Sequence, residues 1–211
     1  MSATSENGAV QASHEASDNI FKIGINLAMI GLVAGLILSV VNYFTQPIRE
    51  ANEVRAREMA RKTVLPVASS FVAIEGLTDW FYGVDAENKR VGYVVPMVQR
   101  GYDGNMMMTL GVDTNFKVVR YKILKDRETP GLGAKAKDDW FVDQFMGRDK
   151  NNLEVSKVKS PGKITAITGA TITSKAIAVG IKKNIELLEK LATDDFKKIP
   201  PELNKKEGSH E

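Results

Sequence analysis

Thr168-Gly169-Ala170-Thr171-Ile172-Thr173-Ser174 stands where a series of strand-like runs gives way to a long amphipathic helix. The helix is predicted over Ile172 to Ala192, with Ile177, Ile181, Ile185, Leu188 and Leu191 on one apolar stripe. Four hydroxyl-bearing residues surround Gly169 and Ala170, whose small size lets a bulky group approach the backbone. A turn of this kind aims free N–H groups and the positive end of the helix dipole at whatever lies over it. That is a seat for a phosphate. Ser and Thr are also common helix caps, and capping alone explains a bare Thr-x-x-Thr. The full [Ser/Thr]-Gly-Ala-Thr tetrad is rarer, arising by chance in roughly one chain in a hundred of this length.

Upstream of the heptapeptide, Ser70–Ile74, Trp80–Val84, Arg90–Val98, Asn105–Val112 and Phe116–Leu124 read as strands. Turn signals fall at Asp85-Ala86-Glu87-Asn88 and Asp103-Gly104. Met106-Met107-Met108 reads as buried strand in preference to a metal-binding cluster. Ala136 to Phe145 reads as a short amphipathic helix ended by Gly147, Leu153–Val158 as a further strand, and Ser160-Pro161-Gly162 as a turn. Successive strands with few helices predict an α+β domain over 67–192, with a mixed, largely antiparallel sheet and packed helices.

Further upstream, no charged residue occurs from Ile23 to Ile48. As a helix this run is about 39 Å long, against a hydrocarbon core of about 30 Å. It predicts a single transmembrane helix within 21–48. Gly31-x-x-x-Gly35 marks a candidate helix contact face. An acidic leader, the length of the run and the lack of a small-x-small site argue against a cleaved signal peptide. Residues 1–20 have no apolar period and are expected to lack structure. Residues 49–66 form a charged linker helix with opposite charges three and four apart. Residues 193–211 form a polar tail. Lys22 precedes the span, whereas Arg49, Arg55, Arg57, Arg61 and Lys62 follow it, so charge alone would keep the large domain inside.

Composition narrows the chemistry. The 211 residues suffice for one core plus extensions, and the net charge of +3 comes from scattered cations, which gives no reason to expect nucleic acid. There is no cysteine, so Fe–S clusters, thiolate metal sites and disulfides are excluded. The two histidines, His14 and His210, lie in polar terminal segments, which argues against a histidine metal site or a triad. Redox chemistry here requires a borrowed cofactor.

A second unusual run is Arg127-Glu128-Thr129-Pro130-Gly131-Leu132-Gly133-Ala134. Alone it is a Pro-Gly turn after a strand, and Gly131-x-Gly133 is too short for a dinucleotide fingerprint. Together, the two motifs resemble those of flavin-bearing membrane redox subunits that hold FMN through a phosphoester to threonine. These are the G subunit of the Rnf-type ion-translocating ferredoxin:NAD oxidoreductase and the related C subunit of the sodium-pumping NADH:quinone reductase. Tyr102-Asp103-Gly104, Leu110-Gly111-Val112-Asp113 and the apolar span fit the same pattern, and the resemblance covers about Phe21 to Leu191. One departure is Thr165, where the family pattern has Asp six residues before the acceptor.

The resemblance implies Thr171 as the covalent FMN acceptor, with Thr168, Gly169 and Ala170 around it. It implies that Glu128, Thr129, Leu132 and Gly133 contact the flavin ring. It further implies an electron-relaying subunit of an Rnf-type translocase, without independent catalysis or a metal. Other membrane subunits and an FMN transferase would be its partners. The FMN domain would lie outside the cytoplasmic membrane. The short chain favours the G type over the C type. A membrane-tethered binding or sensory module without flavin is the reading from a different class.

Overall fold

The computed structural model describes residues 3–193, with side chains from 22 to 192. Beyond Thr193 the expected polar tail lies outside the described residues. The chain divides into two compact units, Met1–Val54 and Arg55–Glu211.

The first unit is helix. α1 runs Ala3–Val64, and Pro47 removes one backbone donor without ending it. Among the described residues this is the one helix apolar enough to cross a membrane, with a mean hydropathy of 2.3 in its most apolar stretch. Its apolar side chains between Ile23 and Ile48 are uncovered by protein, as in a helix that faces lipid. The helix takes in residues 3–20. Extending an existing helix needs no new nucleation, and Ala, Glu and Gln in this leader favour it.

The second unit begins earlier than the sequence suggests. The end of α1 is no free linker, because Val64 and Leu65 are fully buried. Arg57 pairs with Asp79 at 2.5 Å, and the Arg61 guanidinium lies 3.8 Å from the Phe81 ring centroid.

Five antiparallel strands follow in sequence order: β1 (Ser70–Ala73), β2 (Phe81–Val84), β3 (Arg90–Arg100), β4 (Asn105–Asp113) and β5 (Val118–Lys125). Two of their turns share one device. Asp85 Oδ1 accepts the N–H groups of Glu87 and Lys89, and Asp113 Oδ1 accepts those of Asn115 and Lys117. Phe116, expected to open β5, sits in the second turn at φ 58° and stacks on Tyr93. Side chains alternate across β3, so that Tyr93, Val95 and Met97 enter the main core while Gly92 and Val94 face the end of α1.

Three glycines make that second face possible. Gly83 pairs with Gly92, and Gly111 pairs with the nearby Val94. A Cβ on Gly83 would lie 2.6 Å from Leu65 Cδ2, one on Gly92 3.0 Å from Leu65 Cδ1, and one on Gly111 2.2 Å from the Val64 carbonyl oxygen. The glycines form a track across three strands, and the end of α1 is seated in it.

The main core lies on the opposite face, under α3 (Thr171–Thr193). The apolar stripe of α3 is buried throughout, and Met106 and Met108 join it. The run expected as one helix over 136–145 is broken into a 3₁₀ turn (Gly133–Lys137), α2 (Asp139–Val142) and a second 3₁₀ turn (Asp143–Phe145). Asp138 is extended, and this break turns both Ala136 and the Phe141–Val142–Phe145 group inward. The strand expected over 153–158 shrinks to β6 (Val155–Ser156), which pairs in parallel with β7 (Ile164–Thr165).

The Tyr121 hydroxyl, fully buried, donates to the Ala136 carbonyl at 2.7 Å. Burial pushes this phenol well above its ordinary value, and the neighbouring Arg120 guanidinium offsets only part of the shift. The raised value means that the folded state holds the proton more tightly. Its contribution is therefore complete below about pH 10 and fades as pH rises beyond it. Tyr121→Phe is expected to cost about 1–3 kcal/mol at pH 7, since a buried carbonyl loses its donor, but to flatten the alkaline decline. Urea unfolding of both proteins at pH 7 and above pH 10 checks it; parallel declines would contradict it.

Candidate functional site

Between the β5–α2 loop and the start of α3 lies a cleft of about 440 Å³, lined by Tyr102, Glu128, Thr129, Leu132, Gly133 and residues 169–173. Every residue expected at the site is here except Thr168, which is exposed and outside the lining. Gly169 makes the turn at φ 79°, a conformation that favours glycine. A Cβ there would also lie 2.9 Å from Leu132 Cδ2, so the two motifs touch at this point.

The hydroxyls of the heptapeptide have distinct fates. Ser174 Oγ donates to the Ala170 carbonyl at 2.9 Å and accepts the Ile167 N–H at 3.0 Å, closing the turn from inside. Thr173 is fully buried and donates to Glu128 Oε2 at 2.7 Å. Thr171 is half-buried on the cleft wall, and among the described residues its hydroxyl has no hydrogen-bond partner. The first N–H bonded within the helix is that of Ser174, to the Ala170 carbonyl. The N–H groups of Thr171, Ile172 and Thr173 precede it and have no carbonyl one turn back to bond. The unbonded Thr171 hydroxyl thus stands at the positive end of a 23-residue helix.

Glu128, expected as a flavin contact, lines the cleft, but its carboxylate bonds internally. Oε1 accepts the Tyr102 N–H at 2.8 Å, and Oε2 takes the Thr173 hydroxyl. Lys163, a candidate to offset phosphate charge, is paired with Glu154 at 2.7 Å, while Lys175 is exposed. Thr165 uses its backbone: its N–H donates to Gln144 Oε1 at 2.7 Å, and its carbonyl accepts Gln144 Nε2 at 3.3 Å. Tyr102, Ile172 and Thr173 also line the cleft. All three lie within strings the sequence marked, Tyr102 in the Tyr-Asp-Gly turn and the others in the heptapeptide, but none was assigned to the site.

The residues present fit FMN. The volume lies within the roughly 300–1,000 Å³ of small-molecule sites. The walls offer Leu132 and Ile172 to a flat ring and helix N–H groups to a phosphate. A second hollow, of about 470 Å³, runs along β5 and includes no residue of either motif. Two of its three cations are already paired, Arg120 with Asp139 and Asp143, and Lys137 with Asp126.

The chain has relatives among known proteins. Residues 101–186 match the model of the FMN-binding domain family. The G subunit of the proton-translocating ferredoxin:NAD(+) oxidoreductase complex of Clostridium ljungdahlii is 36% identical over 176 residues, covering 83% of this chain and 95% of that protein. The G subunit of the Na(+)-translocating complex of Acetobacterium woodii is 34% identical, covering 82% and 93%. A solved structure of the C subunit of Na(+)-translocating NADH-quinone reductase from Parabacteroides distasonis is 22% identical, with a TM-score of 0.47 over 54% of this chain and 62% of that one. The match to two such G subunits over most of both chains, with an FMN-binding domain around the cleft, establishes that this chain belongs to the G-subunit family of ion-translocating ferredoxin:NAD(+) oxidoreductase complexes.

Proposed function

We propose that this membrane-anchored chain carries FMN as a phosphoester on Thr171 and relays electrons between other subunits of an Rnf-type complex. The observation that carries the reading is the Thr171 hydroxyl, free of partners on the wall of a cleft built from both motifs. Thr171 Oγ forms the bond to phosphorus as the anhydride bond of an activated FMN donor breaks, and the donor's other phosphate half departs with the bridging oxygen. The hydroxyl proton leaves to a base on the FMN transferase. The product keeps one negative charge beside the N–H groups at the start of α3, where the helix dipole favours it. When bound, the flavin supplies one- and two-electron transfer. Leu132 and Ile172 would offer apolar contact to the bound ring, and Thr129 would offer it a hydroxyl.

The test is intact mass and in-gel fluorescence of the denatured full-length protein, co-expressed with a transferase. A mass increase of one FMN less water, with fluorescence that survives denaturation, is expected. An unmodified mass would overturn the covalent linkage.

We further infer that the FMN domain lies on the outer side of the cytoplasmic membrane. Two of the cations that argue for the opposite side, Arg57 and Arg61, are committed to the folded domain through Asp79 and Phe81. Protease added to cells with a permeabilised outer barrier should digest the domain while cytoplasmic markers survive. Protection of the domain alongside those markers would reverse the assignment.

A further inference from the structure

Glu128 is an acidic residue only 7% exposed, and each of its carboxylate oxygens is bonded inside the protein. Its carboxyl group occupies room that two glycines leave open. A Cβ on Gly101 would lie 2.1 Å from Oε1, and one on Gly133 would lie 2.1 Å from Oε2. One side chain therefore joins the β3–β4 turn, its own loop and the first turn of α3. Those three segments are the walls of the cleft. Glu128 makes no hydrogen bond to the Thr171 hydroxyl among the described residues.

We propose that Glu128 is a positioning residue that acts through Tyr102 and Thr173 to hold the three walls together, and so seats the flavin ring after attachment. The inference rests on the proposed FMN at Thr171. A phosphoester fixes one end of the cofactor only, and a flexible chain of single bonds separates that end from the ring. The seat of the ring must come from the cleft. A buried carboxylate keeps its place only when fixed donors replace its hydration, and Tyr102 and Thr173 supply them. Attachment and seating are thus assigned to different residues, Thr171 for the first and Glu128 for the second.

The experiment compares full-length wild-type protein with Glu128→Ala, Glu128→Gln and Thr173→Val, each co-expressed with the transferase. Intact mass reads attachment. Fluorescence anisotropy, iodide quenching and the reduction midpoint potential of the attached flavin read seating. Glu128→Ala is expected to retain most of the covalent flavin while its anisotropy falls, its quenching rises severalfold and its potential shifts. Glu128→Gln should return all three toward wild type. The amide oxygen can accept the Tyr102 N–H, and the amide nitrogen can donate to the Thr173 hydroxyl, which accepts as readily as it donates. Thr173→Val cuts one of the two bonds and should fall between. Wild-type anisotropy and quenching in Glu128→Ala would overturn the inference, as would Glu128→Gln values no better than those of Glu128→Ala. If Glu128→Ala does not fold, wild-type readings in Thr173→Val would overturn it. A wild-type chain without covalent flavin would instead overturn the proposed function, and this inference with it.

Discussion

Thr171→Ala is expected to remove covalent flavin completely while the domain stays folded. The hydroxyl oxygen is the only atom of this residue able to bond phosphorus. Its loss breaks no hydrogen bond among the described residues, and alanine suits a first helical turn. The stability change should stay within about 1 kcal/mol, small against the roughly 5–15 kcal/mol of a typical domain. The neighbouring threonines provide the contrast. Thr168→Ala alters an exposed residue outside the cleft and should change neither flavin nor stability. Thr173→Ala leaves the buried Glu128 carboxylate one donor short, costing about 1–3 kcal/mol, yet should still be modified. Intact mass with in-gel fluorescence, together with thermal melts, separates the three. Covalent flavin surviving in Thr171→Ala would move the attachment site elsewhere.

The largest expected loss of stability comes from the glycine track. Gly111→Val places a Cβ where the Val64 carbonyl oxygen lies 2.2 Å away and the carbonyl carbon 2.7 Å away. These are backbone atoms at a helix end and cannot rotate aside as a side chain would. Either the strand bends or the end of α1 lifts off. Lifting uncovers Val64 and Leu65, both fully buried, at about 1.5–3 kcal/mol each. Bending incurs the overpacking cost of about 1–3 kcal/mol and disturbs β4 between both its neighbours. A loss of about 3 kcal/mol or more follows, which lowers Tm by about 6–12 °C. A melt within about 2 °C of wild type would mean that the Val64 carbonyl is not held against the strand.

Local chemistry made some of this legible in advance. The stripe of α3 follows from the period of its apolar residues, while β3, β4 and the charge-free span follow from local composition and the turns that bound the strands. Phe116 misleads because an aromatic residue favours strands, whereas here Asp113 builds a turn around it. The 136–145 run misleads because its apolar residues suit a helix, while extended Asp138 breaks it. The glycine track is invisible in sequence, since Gly83, Gly92 and Gly111 meet only through strand register. The site divides in the same way. Both motifs were visible as strings, and their convergence on one cleft was implied by resemblance. That Glu128 binds a backbone amide 26 residues away and a hydroxyl 45 residues away is written in no local pattern.

The seat at the end of α1 also decides where this protein can be cut. A soluble fragment beginning at Val67, the boundary that composition suggests, discards Arg57, Arg61, Val64 and Leu65. It would bare a strip of glycine backbone and the apolar face around Val94, Phe71 and Phe81. Such a surface invites self-association through contacts with nothing to do with electron transfer. A fragment starting at Arg55 keeps the covering turns and leaves the lipid-facing stretch behind. The natural seam between anchor and domain therefore lies inside a continuous helix, well upstream of Pro66, where the chain first turns away from it.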